Sequence, residues 1–521
     1  MMLIKKQVFI YLLVFLLLQS TTLNSFSFAN ENGYENTIIL DQPKIKLEAR
    51  IDEPLDLDLE KALSIALLQN LDITSARINT DLYKWKLFEN YSNYLPDVKA
   101  GLSGQRLDGT FLIGGVFPVM TLTSSVNAFL RFDYRFLEGG MGFFNTLAAN
   151  KLYKSSKENL SINMKDVLLQ VTNTYYQLLK EQAQTEVVTI SLNEAKSVLD
   201  LNQKLQKQGV GTKFDVLQSE AQYAEQEQAF INQQAKSRDA SINLARLLNL
   251  EQGTHISPDL KDLKPRKIFD IDKPILEIIT LAKDNRSELK KARLDYNAQK
   301  NYIGVAYSGF LPSANFYGQY GGNGRVFFNR TKISEVVPDA IALDGSGNPV
   351  ISMVARMNRS VSDVIPDSGK PYLVATNDSL MASKFIGVQV DWDFGKGLGT
   401  STISQINQAR HQAMLAKNNI EISNQKIEQE VRSSYLKAQT TEKLIEVSKK
   451  RLIAATEALR LAKLRLENGI GLNTELLNAQ KQYSSALAAN ANAIIDYNTA
   501  QAELVHSLGI ISVDSLISPQ S

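Results

Sequence analysis

The chain has 521 residues, enough for a large core, and its 57 Lys and Arg residues nearly balance 55 Asp and Glu residues. A net charge near zero gives no support to a nucleic-acid-binding function. Cysteine is absent, which excludes disulfides, thiolate metal sites, a cysteine nucleophile and lipid attachment to an N-terminal cysteine.

Residues 1–29 have the pattern of a signal peptide. Lys5 and Lys6 precede an apolar run over 8–18, and Ser27-Phe28-Ala29 has the small-x-small form of a cleavage site. This run is too short to span a bilayer. No later segment approaches the ~18 consecutive apolar residues of a transmembrane helix. We therefore expect an exported protein whose membrane-spanning part, where it has one, consists of strands.

The next stretch predicts an irregular extension over 30–58, a helix over 59–88 and two strands. The helix is expected to end before Leu95-Pro96, because proline pushes the preceding residue out of the helical region. A first strand is predicted over 98–105. The return strand over 126–136 alternates clearly, with one apolar face and one face that carries Arg131, Asp133 and Arg135.

A very long helical hairpin is predicted next. From 145 to 206 there is neither proline nor glycine, and apolar residues recur at helical spacing. About 62 helical residues would make a rod of roughly 90 Å. The hairpin turns at Gly209, Val210 and Gly211, and its second helix runs to about 250.

The whole arrangement occurs twice, which makes the chain a tandem duplication. Tyr175 corresponds to Tyr435, and the tip corresponds to Gly469, Ile470 and Gly471. These pairs lie 260 residues apart. Upstream, Tyr91 to Pro96 corresponds to Tyr307 to Pro312 at an offset of 216 residues, which grows to 258 after a 42-residue insertion. The predicted organisation is the extension, repeat 1 over 59–250 with a β-hairpin over 95–138, a linker over 251–274, repeat 2 over 275–510 with a β-hairpin and long loop over 311–395, and a tail over 511–521.

The strands of repeat 2 are predicted over 312–320 and 386–394, the latter with Asp391 and Asp393 on its polar face. Strands of this length with one lipid-type face fit a transmembrane β-barrel; an amphipathic hairpin on a soluble core is the alternative. Four strands cannot close a barrel, because about eight are the smallest number that encloses a packed interior. The chain is therefore expected to oligomerise, with eight strands from two chains or twelve from three. The charged faces predict a wet lumen.

The long helices carry narrow apolar stripes and are rich in Ala, Gln, Ser and Asn after the tips. That composition suits the wall of a tube with water on both sides, although an ordinary coiled-coil hairpin has a similar composition.

The duplicated order of helix, two strands and long helical hairpin resembles the outer membrane efflux protein family, the TolC-like exit ducts. The paired Tyr-Ser-x-aromatic-Leu-Pro segments, the strand exits at Phe136 and Phe394 and the two glycine tips carry the resemblance over 59–510. It implies a mainly α fold with a membrane β part: a homotrimer whose helical hairpins form a barrel below a 12-stranded transmembrane β-barrel. It further implies a Gram-negative outer-membrane location with a large periplasmic part, a periplasmic adaptor and an inner-membrane transporter as partners, and efflux or type I secretion as the function.

The resemblance also implies site residues. The tips Gly209, Val210, Gly211, Gly469, Ile470 and Gly471 would contact the adaptor. Glu475, followed by Asn478, would line the pore constriction. Each feature has a purely structural alternative, because a tight helix-to-helix turn favours glycine and an acid in a first helical turn favours the helix dipole. Asp215, the counterpart of Glu475, is predicted to form a capping box with Thr212.

Enzymatic function finds no support. The three histidines, His255, His411 and His506, lie far apart and lack carboxylates at metal-ligand spacing. The glycine-rich runs at 321–324 and 344–347 lie in the long loop, which we expect to be extracellular, and no helix follows them as a phosphate site requires. No cofactor or metal is predicted. A structural coiled-coil protein of the envelope is the remaining alternative to a transport conduit.

Overall fold

Two long helical hairpins and one antiparallel sheet make up most of the structure. The computed structural model describes residues 55–113, 117–209, 211–251, 254–325, 330–332, 363–367, 370–374, 381–393, 397–468 and 470–517. The predicted signal peptide, residues 30–54 of the predicted extension, Val210, Phe394, Gly469, residues 518–521 of the predicted tail and much of the predicted long loop lie outside these residues. The described residues all belong to one unit, Ala49–Ser521.

Repeat 1 contains a short strand, two short helices, a strand pair and a helical hairpin. The first hairpin helix has 67 residues and is therefore roughly 100 Å long. It includes the whole of the predicted helix over 145–206. The elements are β1 Leu55–Leu57, α1 Leu59–Gln69, α2 Leu71–Ser92, β2 Asp97–Ile113, β3 Phe117–Glu138, α3 Met141–Lys207 and α4 Lys213–Leu247.

The prediction of a single helix over 59–88 was wrong, because the structure divides this stretch at Asn70. The Asn70 backbone is extended, with φ −63° and ψ 132°, and its side-chain oxygen accepts hydrogen bonds from the backbone N–H groups of Asp72 and Ile73. Its amide group also donates to the carbonyl of Leu247 at 2.9 Å. Asparagine favours such a cap, since its short side chain satisfies the free N–H groups of a helix start. The hydrophobic period continues across the break and conceals it.

The segment predicted as a linker over 251–274 contains ordered elements. Strand β4, Ile256–Pro258, pairs in parallel with β1. Residues 55–57, which were predicted to belong to the irregular extension, are therefore part of a sheet. A 3₁₀ turn, Leu260–Asp262, follows. The Tyr175 hydroxyl lies 2.6 Å from Asp262 Oδ2 and 3.2 Å from the Leu57 carbonyl. These contacts fix the segment against the middle of α3.

Repeat 2 has the same plan with an insertion between its strands. The hairpin helices span 68 and 35 residues, close to the 67 and 35 residues of repeat 1. The elements are α5 Ile275–Asn285, α6 Ser287–Ser308, β5 Ser313–Arg325, β6 Arg330–Lys332, β7 Asp363–Asp367, β8 Lys370–Val374, β9 Met381–Asp391, α7 Thr400–Glu467, α8 Asn473–Ser507 and α9 Val513–Ile517.

Four helices pack side by side in the order α2, α3, α6, α7. Helix α4 packs on α3, while α8 packs on both α7 and α3 and so joins the two hairpins. Much of the buried surface consists of small residues, such as Ala148, Ala409 and Ala486, which let helices approach closely. Among the described residues, no helix has the length and apolar character needed to cross a membrane.

The four long strands form an antiparallel sheet in the order β2, β3, β5, β9. Short strands β6, β8 and β7 extend it beside the far end of β3. The observed strands β2 and β3 are longer than the predicted strands over 98–105 and 126–136. Strand β9 ends at Asp391, so Trp392 and Asp393 lie beyond it, contrary to the prediction of a strand to 394; the indole N–H of Trp392 donates instead to the Phe310 carbonyl at 3.1 Å.

The sheet and the row of four helices both have open edges. In the part of the chain that the structure describes, β2 pairs only with β3 and β9 pairs only with β5. In the row of four helices, α2 packs on α3 and α7 packs on α6, so α2 and α7 are the two ends of the row. Because α2 leads directly into β2 and β9 leads into α7, each edge is continuous from sheet to helices. We call these the α2–β2 edge and the β9–α7 edge.

Candidate functional site

The first tip is a tight turn whose geometry requires glycine. Gly209 adopts φ +77° and is exposed, and the Gly211 N–H donates to the Leu205 carbonyl at 3.0 Å. A Cβ atom on Gly211 would lie 3.0 Å from the Gln206 nitrogen. The predicted capping box is present, because the Thr212 hydroxyl accepts from the Asp215 N–H while the Asp215 carboxylate accepts from the Thr212 N–H. These interactions begin α4.

The second tip has a glycine at the corresponding position, Gly471, but lacks the side-chain cap. The Ile470 N–H donates to the Arg465 carbonyl at 3.0 Å, and a Cβ atom on Gly471 would lie 2.8 Å from the Leu466 nitrogen. The residue that precedes α8 is Leu472, which offers no side-chain cap. Ile470 and Leu472 are 73% and 66% exposed. The second tip therefore presents the Leu472 side chain where the first presents the Thr212 hydroxyl.

Next to the tips, a buried polar network ties the two hairpins together. The Asn202 amide of α3 donates to Ser219 Oγ of α4 at 2.6 Å and to Asn473 Oδ1 of α8 at 2.9 Å, and Asn473 in turn donates to Gln218 at 3.0 Å. An apolar cluster of Val198, Leu466 and Leu476 packs nearby. We did not predict this network, because the helical period marks Asn202 and Asn473 as ordinary polar positions.

Glu475 lies in the first turn of α8, and Asn478 lies one turn further along; both are exposed. The Glu475 carboxylate is 3.7 Å from Arg465 Nη1 at the end of α7, and both side chains are about half exposed. An ion pair this long and this exposed is weak. Glu475 therefore keeps a solvent-facing carboxylate with a cation beside it.

The sheet has two chemically distinct faces. Residues opposite one another in the register share a face, so Arg131 lies beside Gln319, and Asp133 beside Tyr317. Arg131 Nε and Asp133 Oδ2 form an ion pair at 2.8 Å. The other face is apolar and open, with Leu130, Val388 and Val390 at 48%, 61% and 66% exposure. A sheet with a wet face and a broad exposed apolar face suits a boundary between water and lipid.

Two adjacent tyrosines in the middle of α3 have perturbed acidity. Burial raises the pKa of Tyr175 far above its usual value, and its hydrogen bond to Asp262 raises it further. Burial alone dominates for Tyr176, whose pKa rises to about 12. These pKa shifts arise because the segment over 251–274 packs on this part of α3. They therefore reflect a structural contact.

The described residues contain no group of His, Asp and Glu side chains that could hold a metal ion. His506 lies 2.8 Å from Asp166, which links α8 to α3 as a simple pair. His255 and His411 lie elsewhere in the chain.

Comparison with known proteins now defines the family. The model of the outer membrane efflux protein family matches residues 62–250 and 346–510, about two thirds of the chain. The chain belongs to the outer membrane efflux protein family. A comparison with curated protein sequences finds no match.

Solved structures of outer-membrane channels share the fold. The outer-membrane channel OprN superposes with a TM-score of 0.66 at 18% identity, covering 87% of this chain and 89% of its own. The Vibrio cholerae outer membrane protein VceC gives 0.64 at 16% identity, with coverage of 87% and 96%. The Campylobacter jejuni CmeC channel gives 0.67 at 15% identity, with coverage of 87% and 85%. The efflux family and these matching folds are those of channels and not of enzymes.

Proposed function

We propose that this efflux-family chain forms a homotrimeric exit duct in the outer membrane of a Gram-negative cell. Three chains would supply twelve long strands to a membrane barrel and twelve wall helices to a periplasmic tunnel. Substrates would enter from a periplasmic adaptor and an inner-membrane pump, in either an efflux or a type I secretion system, and leave to the exterior.

The observation that carries this proposal is the pair of open edges. The outer side of β2 and the outer side of β9 are unpaired within the described chain, and unpaired backbone groups are costly in lipid, by several kcal/mol each. The two edges differ, so one chain's β9–α7 edge must meet another chain's α2–β2 edge. A head-to-tail contact of this kind makes a ring when its rotation closes. A structural coiled-coil protein would need neither the apolar sheet face nor these edges.

The tips are the proposed contact with the adaptor. The residues inferred for this role are Gly209, Val210, Gly211, Gly469, Ile470 and Gly471. The turn geometry explains the glycines Gly209, Gly211 and Gly471, so direct contact would come mainly from exposed apolar neighbours such as Ile470. On the first tip, Phe214 is 70% exposed and offers a similar surface. We therefore place the partner's apolar side chains against Ile470 and Phe214.

The proposed constriction is a ring of three Glu475 carboxylates with Asn478 behind it. Three like charges in a narrow neck would attract cations, because the local dielectric is lower than in bulk water. Arg465, 3.7 Å from Glu475, reduces this negative potential.

Export from living cells tests the proposed function. A strain that lacks its own exit duct receives this protein together with a candidate adaptor and a candidate pump from the same source cell, and ethidium accumulation is measured. We expect accumulation to fall only when all three proteins are present. The Ile470→Asp variant should abolish the fall. Ile231→Asp, at a similarly exposed position (62%) well along α4 from the tip, should not. Unchanged accumulation with the protein assembled in the outer membrane would contradict the proposal.

A further inference from the structure

A polar cavity opens between the two helices of the first hairpin, near the end of α4. It has a volume of about 330 Å³, at the small end of the range for ligand sites. Its polar wall comes mainly from Gln170, Asn173 and Gln177 of α3 and from Asn243 and Arg246 of α4. Four side-chain amides and one guanidinium therefore line the same space.

Most of these side chains have no partner in the protein. Among the described residues, no hydrogen bond or ion pair involves the side chains that follow: Gln170, Asn173, Asn243 and Arg246. The Asn173 Oδ1 atom is also buried. Because buried polar atoms are nearly always hydrogen-bonded, an unpaired buried oxygen beside a polar cavity points to a ligand that donates a hydrogen bond.

Repeat 2 fills the same positions with side chains that pair with one another. An offset of 260 residues relates the two hairpins, so Gln177 corresponds to Lys437 and Asn243 corresponds to Glu503. In repeat 2 these two side chains form an ion pair across the hairpin, with Nζ 2.6 Å from Oε2. The pair joins the two helices at the place where repeat 1 has its cavity.

Two further positions of the cavity wall are also paired in repeat 2. Glu430, at the position of Gln170, accepts a hydrogen bond from Arg286 at 2.6 Å. His506, at the position of Arg246, lies 2.8 Å from a carboxylate oxygen of α3. Because the hairpin packs with these positions paired, their lack of partners in repeat 1 is not a consequence of the fold.

The cavity lies on the side of the hairpin that the segment over 251–274 leaves free. Successive residues of an α-helix are about 100° apart, so residues two positions apart point to nearly opposite sides. Tyr175 and Ser241 form hydrogen bonds to this segment. Asn173 and Asn243, each two positions away, line the cavity. In the proposed duct the segment would obstruct the tunnel if it lay inside, so the cavity is on the tunnel wall.

We propose that this cavity binds a small hydrophilic carboxylate that passes through the duct. A guanidinium pairs with a carboxylate through two parallel hydrogen bonds, and Arg246 supplies the guanidinium. The amides of Gln170, Asn173 and Asn243 suit hydroxyl or amide groups of the ligand, since each amide can donate and accept. Sugar acids and short polar acids combine these groups. The location on the tunnel wall rests on the proposed function, whereas the ligand class follows from the side chains.

Calorimetric titration of the purified protein in detergent tests the ligand class. D-Glucuronate is the probe, because it combines a carboxylate with ring hydroxyls. Glucose has hydroxyls without a carboxylate, and benzoate has a carboxylate without hydroxyls. We expect glucuronate to bind about ten-fold or more tightly than either, because each lacks one set of hydrogen bonds. Equal binding of inorganic phosphate would overturn the assignment to a carboxylate, and equal binding of benzoate would overturn the role of the amides.

Substitutions in the cavity wall sharpen this test, and both positions are exposed, so folding should survive. Arg246→Gln removes the cation, and Asn243→Asp places a carboxylate beside the bound anion. Each should weaken glucuronate binding about ten-fold or more. Arg246→Lys keeps the charge but loses the planar fork, so its effect should be smaller.

Lys236→Gln is the matched control for these variants. Lys236 lies seven positions before Asn243, on the same side of α4, and does not line the cavity. Its substitution should leave glucuronate binding unchanged. An equal loss with Lys236→Gln and Arg246→Gln would show that general charge attraction holds the anion, and would overturn the site.

Export and binding together separate this inference from the proposed function. Ethidium carries no carboxylate, so the export assay measures the duct without the cavity, whereas calorimetry measures the cavity without the duct. Ethidium export with no glucuronate binding beyond that of glucose would overturn the inference and leave the duct intact. Glucuronate binding that depends on Arg246, with no ethidium export, would remove the proposed duct and keep the cavity as a carboxylate site.

Discussion

Both repeats have a break between their two short helices, but different side chains stabilise it. In repeat 1, neutral Asn70 ends α1, begins α2 and donates to the Leu247 carbonyl. In repeat 2 the corresponding residue is Arg286, which is only 4% exposed. It reaches the Ser507 carbonyl, the counterpart of Leu247, and also pairs with Glu288 at 2.9 Å and Glu430 at 2.6 Å.

This comparison shows which part of the repeat is essential. The backbone geometry and the contact between the helix break and the end of the second hairpin helix occur in both repeats. The polar groups that make the contact differ completely. The uncharged Asn70 amide makes this contact without a charged partner. The buried guanidinium of Arg286 needs carboxylates from two helices to balance its charge. The repeat 2 joint should therefore be the more sensitive of the two to substitution.

Substitution at the two joints should show the largest effect. We expect Arg286→Met to lower the free energy of unfolding by about 2–3 kcal/mol, below the roughly 3–5 kcal/mol of a fully buried pair because Glu288 and Glu430 reach water. Asn70→Ala removes a cap and one further hydrogen bond and should cost about 1–2 kcal/mol. Urea unfolding in one detergent, followed by circular dichroism, measures both. Equal costs would contradict the comparison.

A second pair of corresponding residues should differ in the same way. Tyr175 is completely buried and bonded to Asp262, whereas its counterpart Tyr435 is only half-buried. Tyr175→Phe should cost about 1.5–3 kcal/mol, the range for a hydrogen bond to a charged group, and Tyr435→Phe less than about 0.5 kcal/mol. The same unfolding assay applies. A larger cost for Tyr435→Phe would mean that the connecting segment contributes little to repeat 1.

Alkaline pH should weaken repeat 1 through Tyr176. Its pKa is raised from 10.0 to about 12 by burial, so its neutral form contributes stability below pH about 10, and that contribution is lost as pH rises through 12. The Tyr176 hydroxyl has no hydrogen-bond partner among the described residues. Tyr176→Phe should therefore leave neutral stability nearly unchanged and make the loss between pH 10 and 12 less steep. An unchanged alkaline profile would show that Tyr176 does not contribute to it.

Substitutions at the two tips should have the smallest effect on stability but a clear effect on ion conduction. Glu475→Gln should lower cation selectivity and weaken trivalent-cation block in planar bilayers, and Asn478→Asp should strengthen the block. Arg465→Gln removes the cation beside Glu475 and should also strengthen it. Asp215→Asn at the first tip is the matched control and should leave conduction unchanged. Indifference to all three changes would return Glu475 to the role of a helix-start acid.

Much of the fold could be predicted from periodicity and duplication. The long helices lack proline and glycine, so their extent is close to the observed 141–207, and the alternation of β3 identified both sheet faces. The parallel pairing of β1 with β4 could not be predicted, because it joins residues about 200 positions apart through strands of three residues. The capping side chain of Asn70 indicated the break between α1 and α2. The hydrophobic period continues across this residue, however, and favoured a single helix.

The candidate site was predicted less completely. The tips and the capping box of Thr212 and Asp215 could be found from glycine spacing and capping chemistry. The network from Asn202 to Asn473 depends on two residues 271 positions apart that meet only when the hairpins pack. Arg286 gave no signal in the sequence, because a lone arginine at the start of a helix is usually solvated.

We propose that three copies of this outer membrane efflux chain form one ring. Sedimentation analysis of the purified protein, corrected for bound detergent, tests it most directly. We expect a single stable species with the protein mass of three chains. A stable species of one chain would contradict it, because the open β2 and β9 edges would then have no partner.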